Sequence, residues 1–232
     1  MTFYKDVSVI IPTLNESKTI GNMLYLLNLC KYPYLNEVVV VDSGSTDNTQ
    51  MMVEDWGIPF YRADDINPET NRKNGKGENM WKGLQVTTGQ IVVYLDADLR
   101  NFNVNHLRHM VEPLKNNEIQ FVKTFFQRSE NEGRVTEILA KPLIKHFLPD
   151  LMQIQQPLSG QVAGRREVFE KLDFPTGYGV EISHLIDIYR EYGIDAIAQV
   201  DITGISHRHR DVFDLGKTAD EIIETFFSKQ LF

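Results

Sequence analysis

Ile91-Val92-Val93-Tyr94-Leu95-Asp96-Ala97-Asp98 is the stretch that decides the architecture, because an apolar run ends abruptly in two carboxylates. A short apolar run rich in β-branched side chains reads as a strand buried on both faces, the pattern of a parallel sheet. Val7 to Ile11 and Glu37 to Val41 repeat that pattern upstream. Between them, Glu16 to Leu29 places Ile20, Leu24 and Leu27 at helical spacing, and Thr46 to Trp56 follows Ser45, an expected N-cap. Strands alternating with helices predict a doubly wound α/β sheet. In such sheets ligands bind beyond the carboxyl ends of the strands. Those ends are polar: Pro12-Thr13-Leu14-Asn15-Glu16, Asp42-Ser43-Gly44-Ser45-Thr46-Asp47 and Asp96-Ala97-Asp98.

Asp64 to Gly77, rich in Asn, Asp, Pro and Gly, reads as a long loop, followed by a helix from near Glu78 that carries Trp81 and Leu84. The second half is less periodic. It predicts a strand over Ile119 to Phe126, a helix over Val135 to Phe147 and a mixed region to Thr176. A helix over Val180 to Tyr192, a strand over Ala196 to Ile202 and a last helix over Ala219 to Phe232 complete the chain. The last helix sets Ile222, Ile223, Phe226, Phe227 and Leu231 on one apolar face, which either covers the core or pairs two subunits into a homodimer. No repeat, low-complexity segment or linker interrupts residues 1–232, so a single domain is expected.

A chain of 232 residues, 42% hydrophobic, is long enough to bury a substantial core. No apolar run approaches the roughly 20 residues of a membrane helix, and no signal-peptide pattern opens the chain, so a soluble cytoplasmic protein is expected. Cys30 is the only cysteine, which excludes intrachain disulfides and multi-cysteine zinc sites, and its apolar surroundings point to an inert buried thiol. A net charge of −8 argues against general nucleic-acid affinity, which depends on Lys and Arg neutralising phosphates.

Several constellations carry chemistry. In an extended segment residues i and i+2 point the same way, so Asp96 and Asp98 are expected to project into one crevice. A hard divalent cation would relieve their repulsion and neutralise a departing diphosphate; the plainer reading is a solvated pair in a turn. His207-Arg208-His209-Arg210 is the densest basic patch and suits an anion or, through an imidazole, a divalent metal, against a solvated basic turn. Asn74-Gly75-Lys76-Gly77-Glu78 offers backbone amides and one cation to phosphate or carbonyl oxygens just before a helix, or is simply a flexible turn. Gly133-Arg134-Val135-Thr136 opens a helix whose positive end suits a phosphate, or is an ordinary cap made by Thr136. Gly177-Tyr178-Gly179-Val180-Glu181 sets a carboxylate at a helix start, either for sugar hydroxyls or for the helix dipole alone.

Taken together, these stretches, with Gln156-Pro157-Leu158 and Asp195-Ala196-Ile197-Ala198-Gln199-Val200, resemble the retaining glucosyl-3-phosphoglycerate synthases, which have the GT-A nucleotide-diphospho-sugar transferase fold. The resemblance covers nearly the whole chain and keeps the motifs in order. It implies transfer of glucose from UDP-glucose to D-3-phosphoglycerate with retained configuration, by a nucleotide-binding half over about residues 1–100 and an acceptor-binding half over about 101–232. Carried over by position, Pro12, Thr13, Glu16, Ser43 and Lys76 would contact the uridine side, and Asp96 and Ala97 the donor. Asp98 and His207 would hold Mg²⁺ or Mn²⁺. Gly133, Arg134, Val135 and Thr136, with Arg208 and His209, would hold the phosphoglycerate, and Leu158 and Glu181 would lie near the sugar. Asp98, Lys76 and Glu181 would carry the reaction, with Glu181 gripping hexose hydroxyls in preference to acting as a nucleophile. Ala97 and His209 depart from the residues expected in relatives, Ser and Asn. Mannosyl transfer from GDP-mannose, or a dual-donor enzyme accepting both nucleotide sugars, is the alternative within this chemistry. A nucleotidyltransferase would need a glycine-rich, Arg-bearing loop after its first strand, which is missing, and a catalytically silent sensor fits poorly with Asp98, Arg134 and His207 intact.

Overall fold

A computed structural model describes residues 6–29, 35–70, 75–128, 133–206 and 212–230. Cys30, Asn74, His207, Arg208, His209, Arg210, Leu231 and Phe232 lie outside the described residues. The strands are β1 (Val7–Thr13), β2 (Leu35–Asp42), β3 (Phe60–Arg62), β4 (Ile91–Tyr94), β5 (Phe121–Phe125), β6 (Val162–Arg165) and β7 (Ile197–Asp201). They form one seven-stranded sheet in the order β3-β2-β1-β4-β6-β5-β7. β1, β2, β3 and β4 run parallel, β6 runs antiparallel to β4 and β5, and β7 is parallel to β5. The mostly parallel α/β sheet expected from the sequence is therefore present. Because β6 reverses direction between β4 and β5, the carboxyl ends of β1, β2, β4, β5 and β7 share one rim.

The helices are α1 (Ile20–Leu29), α2 (Thr49–Glu54), α3 (Lys76–Gln85), α4 (Val104–Val111), α5 (Lys141–Phe147), α6 (Arg166–Phe169), α7 (Val180–Tyr192) and α8 (Val212–Gln230). Alternation along each strand splits the core in two. Val7, Val9 and Ile11 face a cluster with Met23 and Leu24 of α1 and Leu107 and Met110 of α4. Ile10 faces the other, with Met80 and Leu84 of α3, Ile182 and Leu185 of α7 and Ile222 and Phe226 of α8. The apolar face of α8 thus covers this chain's own core, while Phe227 stays 42% exposed.

Several expected boundaries move, each for a local reason. Ser45 is not a helix cap: its hydroxyl and amide both bind the Asp42 carboxylate, and α2 begins only at Thr49 after Asn48. α1 starts at Ile20, where the carbonyl of Glu16 accepts from the amides of Thr19 and Ile20. The run from Thr136 to Ala140 is a π-helical turn before α5, not regular helix from Val135. Pro142 just beyond it lacks the amide that a regular ladder needs. β3 and the short, small-residue strand β6 carry little periodic signal and escape a sequence reading; α4 is amphipathic and opened by an Asn103 capping box, but at eight residues it escapes as well. α8 begins at Val212, well before the apolar face that marks it in the sequence.

On α7, His184 packs edge-on to Phe174 at 4.4 Å and is 1% exposed. Burial, with lesser repulsion from Lys123 and Lys229, pushes its imidazole down to about 3. Unfolded, the ring titrates near its ordinary 6.5, so between those values the unfolded chain holds the extra proton and stability falls with falling pH. His184→Leu is expected to flatten this acid loss in denaturant titrations between pH 7 and pH 4; an acid slope equal to wild type would contradict the assignment.

Candidate active site

The loops after β1 and β2 are laced together at the rim. Asn15, in the left-handed region at φ 56°, donates its amide to Ser45 Oγ at 2.7 Å, and its side-chain oxygen accepts from the Thr46 amide at 2.9 Å. The amides of Glu16 and Ser17 donate to Thr49 Oγ1 and Asp47 Oδ2. Hydrogen bonds from Thr49 and Ser17 outweigh desolvation and hold the Asp47 carboxyl at about 2. Asn79 of α3 ties the strand ends from below, its Nδ2 donating to the carbonyls of Thr13 and Val41.

This framework walls an open cleft of about 610 Å³, lined among others by Pro12, Thr13, Glu16, Ser43, Lys76, Asn79, Asp96, Ala97, Asp98 and Tyr178. Pro12, Thr13, Glu16, Ser43, Lys76, Asp96 and Ala97, all singled out from sequence for the donor, thus meet in one place. Asp96 and Asp98 do reach the same cleft, but not as neighbours on an extended segment. The chain turns at Ala97-Asp98, and the Leu99 amide donates to the Asp96 carbonyl at 3.4 Å.

The centre of the cleft is ionic. Lys76 Nζ lies 2.5 Å from Asp96 Oδ1 and 2.5 Å from Glu181 Oε1. Burial opposes the ammonium, yet the two carboxylates outweigh it and hold the Lys76 pKa above its ordinary value. Glu181, 7% exposed in the first turn of α7, is therefore more than a dipole-stabilising residue. Asp96 also accepts from Gln161 Nε2 at 2.7 Å. Gly160 is the other feature missed in the sequence: an added Cβ would sit 2.5 Å from Lys76 Nζ, so the ion pair occupies its side-chain space.

Of the two acceptors expected for the Gly75-Lys76-Gly77 amides, a carbonyl oxygen is the one they hold. The Gly77 and Glu78 amides donate to the Thr176 carbonyl at 2.9 and 3.3 Å, so they are not open to a phosphate. A Cβ at Gly77 would collide with the Pro175 carbonyl, so this glycine admits a neighbouring backbone and does not make a flexible turn. Lys76's side chain alone carries the charge into the cleft. Gly177 and Gly179 likewise admit α8, whose Glu221 accepts from the Tyr178 amide at 2.6 Å.

Leu158, half-buried, sits in the turn leading to Ser159-Gly160-Gln161 and packs on the α7 side of the core. Beyond β5 on the same rim, Thr136 is 2% exposed and is not a cap; its hydroxyl accepts from Arg128 Nη1 at 3.1 Å. Gly133, at φ 71°, abuts the Arg128 side chain, while Arg134 is exposed and Val135 half-buried. Arg128, overlooked in the sequence, thus adds a second guanidinium to the Gly133-Arg134-Val135-Thr136 cluster.

Among the described residues no group of three or more His, Cys, Asp or Glu could hold a metal by itself. A divalent ion gripped by one or two carboxylates plus substrate phosphates needs no such cage. Asp98, 9% exposed beside Asp96, supplies that edge of the cleft. Ser206, the last described residue before His207, is paired with Arg100, two positions past Asp98. The donors present therefore fit Mg²⁺ or Mn²⁺.

Residues 8–173 match glycosyl transferase family 2. The chain belongs to that family. This family 2 transferase is 41% identical over 236 residues to the glucosyl-3-phosphoglycerate synthase of Petrotoga mobilis, covering 96% of this chain and 73% of the relative. It is 37% identical over 238 residues to that of Mycobacterium tuberculosis, covering 97% and 74%. A crystal structure of the M. tuberculosis synthase with Mn²⁺, UDP-glucose and phosphoglyceric acid superposes with a TM-score of 0.92 at 39% identity, covering 97% of this transferase and 79% of that chain. Another, with Mg²⁺ and UDP, gives a TM-score of 0.91. The GT-A architecture expected from sequence is thereby established for this transferase.

Proposed function

We propose that this chain transfers glucose from UDP-glucose to D-3-phosphoglycerate with retained configuration, releasing UDP and glucosyl-3-phosphoglycerate. The observation that carries this reading is the Lys76–Asp96–Glu181 cluster at the cleft on the carboxyl rim of the sheet. The identity to named synthases supports it.

In this reading the cleft-lining Pro12, Thr13, Glu16 and Ser43 would contact the uridine side, and Asp96 with Ala97 the ribose or diphosphate. Asp98 and His207 hold Mg²⁺ or Mn²⁺, which when bound neutralises charge on the departing diphosphate. Lys76 keeps its proton and offers a fixed cation next to that charge, with no reorganisation at the moment of transfer. Glu181 and Leu158 position the hexose. Gly133, Arg134, Val135 and Thr136, joined by Arg208 and His209, bind the phosphate and carboxylate of the acceptor. That cluster brings the attacking hydroxyl to the same face of the sugar, and the leaving phosphate accepts its proton.

No helix of the described residues is long and apolar enough to cross a membrane. We place the reaction in the cytoplasm, and assign the exposed Phe227 on α8 to a homodimer contact. The deciding measurement is nucleoside diphosphate release from UDP-glucose and from GDP-mannose, each with 3-phosphoglycerate, with and without chelator. Fast UDP release that chelator abolishes and excess Mn²⁺ or Mg²⁺ restores is expected; preferential GDP release would assign a mannosyl transfer instead.

A further inference from the structure

A buried line of polar side chains reaches the Asp96 carboxylate from the interior of the sheet. Gln161, the residue before β6, is 0% exposed and continues the β5–β6 pairing, its carbonyl accepting from the Thr124 amide at 3.3 Å. Thr124 Oγ1 on β5 lies 2.8 Å from Ser159 Oγ and 2.8 Å from that carbonyl. Ser159 Oγ donates to Gln161 Oε1 at 3.2 Å, and Gln161 Nε2 donates to Asp96 Oδ2 at 2.7 Å. Thr124 and Ser159 are buried as well. A polar chain in such a place is costlier than an apolar one unless each member is satisfied, and here each side chain has a partner. Its direction matters. Because Oε1 is occupied by the Ser159 hydroxyl, the amide nitrogen is the end presented to Asp96; the flipped amide would set an acceptor against the carboxylate.

We propose that Gln161 is a positioning residue: held by Ser159 and Thr124, its amide fixes the Asp96 carboxylate in the orientation that receives the sugar donor. The inference rests on the glucosyl-transfer reading above. Asp96 Oδ1 lies 2.5 Å from Lys76 Nζ, which is shared with Glu181. An ammonium is a compact charge with rotatable donors, so that contact alone does not set the plane of the carboxylate. The second contact, from a planar amide anchored in the sheet, does set it. Gly160 makes room for the arrangement: a Cβ there would collide with Asp96 Oδ2 and stand 2.5 Å from Lys76 Nζ, so the chain between Ser159 and Gln161 passes directly against the pair. With no exposed surface of its own, Gln161 acts on the donor only through Asp96.

The test uses Gln161→Met, which keeps the length and removes the donor, and Ser159→Ala, which removes only the hydroxyl that orients the amide. Gln161→Met is expected to lower kcat/KM for UDP-glucose about 10- to 100-fold, the range typical for losing a partner that orients a ligating side chain. KM for 3-phosphoglycerate should stay within about twofold, because the acceptor cluster beyond β5 is untouched. Ser159→Ala should shift the donor kinetics in the same sense and add nothing in the Gln161→Met background, since the hydroxyl acts only through the amide. Wild-type donor kinetics in Gln161→Met, equal losses for donor and acceptor, or additive effects of the two variants overturn the proposal. Should Gln161→Met fail to fold, Ser159→Ala decides through the same donor-against-acceptor comparison. A melting-temperature cycle of Ser159→Ala with Asp96→Asn needs no substrate; non-additive shifts are expected, and additive ones overturn the proposal. Wild type that releases no UDP would sink the glucosyl-transfer reading, while the melting cycle still decides whether the Ser159–Gln161 line holds Asp96.

Discussion

Lys76→Met is expected to cost about 3–5 kcal/mol of stability, the scale found when one member of a buried ion pair is removed. It should also depress kcat by about 10² to 10³, as for other preorganised charge donors. Both effects have one cause. Lys76 lies 2.5 Å from Asp96 and from Glu181, with side-chain exposures of 13%, 20% and 7%. Without the ammonium, two carboxylates would converge on a space from which water is largely excluded. Gly160 closes one side of that space and Gly77 packs against the Pro175 backbone, leaving little room for rearrangement. Denaturant midpoints and steady-state UDP release measure the two effects. A Lys76→Met enzyme as stable as wild type would mean that the pairing is not formed in solution.

Asp98→Ala should have the opposite profile, losing nearly all turnover while keeping its fold. Asp98 lines the cleft at the turn after β4, two positions before Arg100, which pairs with Ser206. Asp98 and Asp96 line the same cleft, where Asp96 pairs with Lys76 and accepts from Gln161. A loss of at least about 10³ in kcat is expected, since a metal clamp supplies several kcal/mol of charge stabilisation. Thermal unfolding should shift by only a few degrees, and the metal-dependent rise in UDP release should disappear. Undiminished activity in the purified variant would remove Asp98 from the metal role.

Much of the site is legible in the residues that follow each apolar run. Strand ends in a parallel sheet converge on one rim, so Pro12, Thr13, Ser43, Asp96 and Asp98 can be placed together without a structure. Glu181 and Lys76 are also legible, as a helix-start carboxylate and a glycine-flanked lysine, but their partnership is not. Periodicity reports which face a side chain takes, and says nothing about which distant segment will lie against it. The glycines show the same limit. Gly77, Gly160, Gly177 and Gly179 resemble flexible linkers in one dimension, whereas each marks a close approach by another segment. Arg128 and Gln161 carry no motif at all and gain their roles only through contacts with Thr136 and Asp96.

By itself, then, the sequence determined the α/β class, the polar rim and the family, because hydrophobic period and motif order are local properties of the chain. Only the tertiary structure decided that Lys76 joins Asp96 to Glu181, that the Gly77 and Glu78 amides are already satisfied, and that Lys123 is buried. These depend on long-range packing, which sets the distance between charges and removes the water that would otherwise screen them.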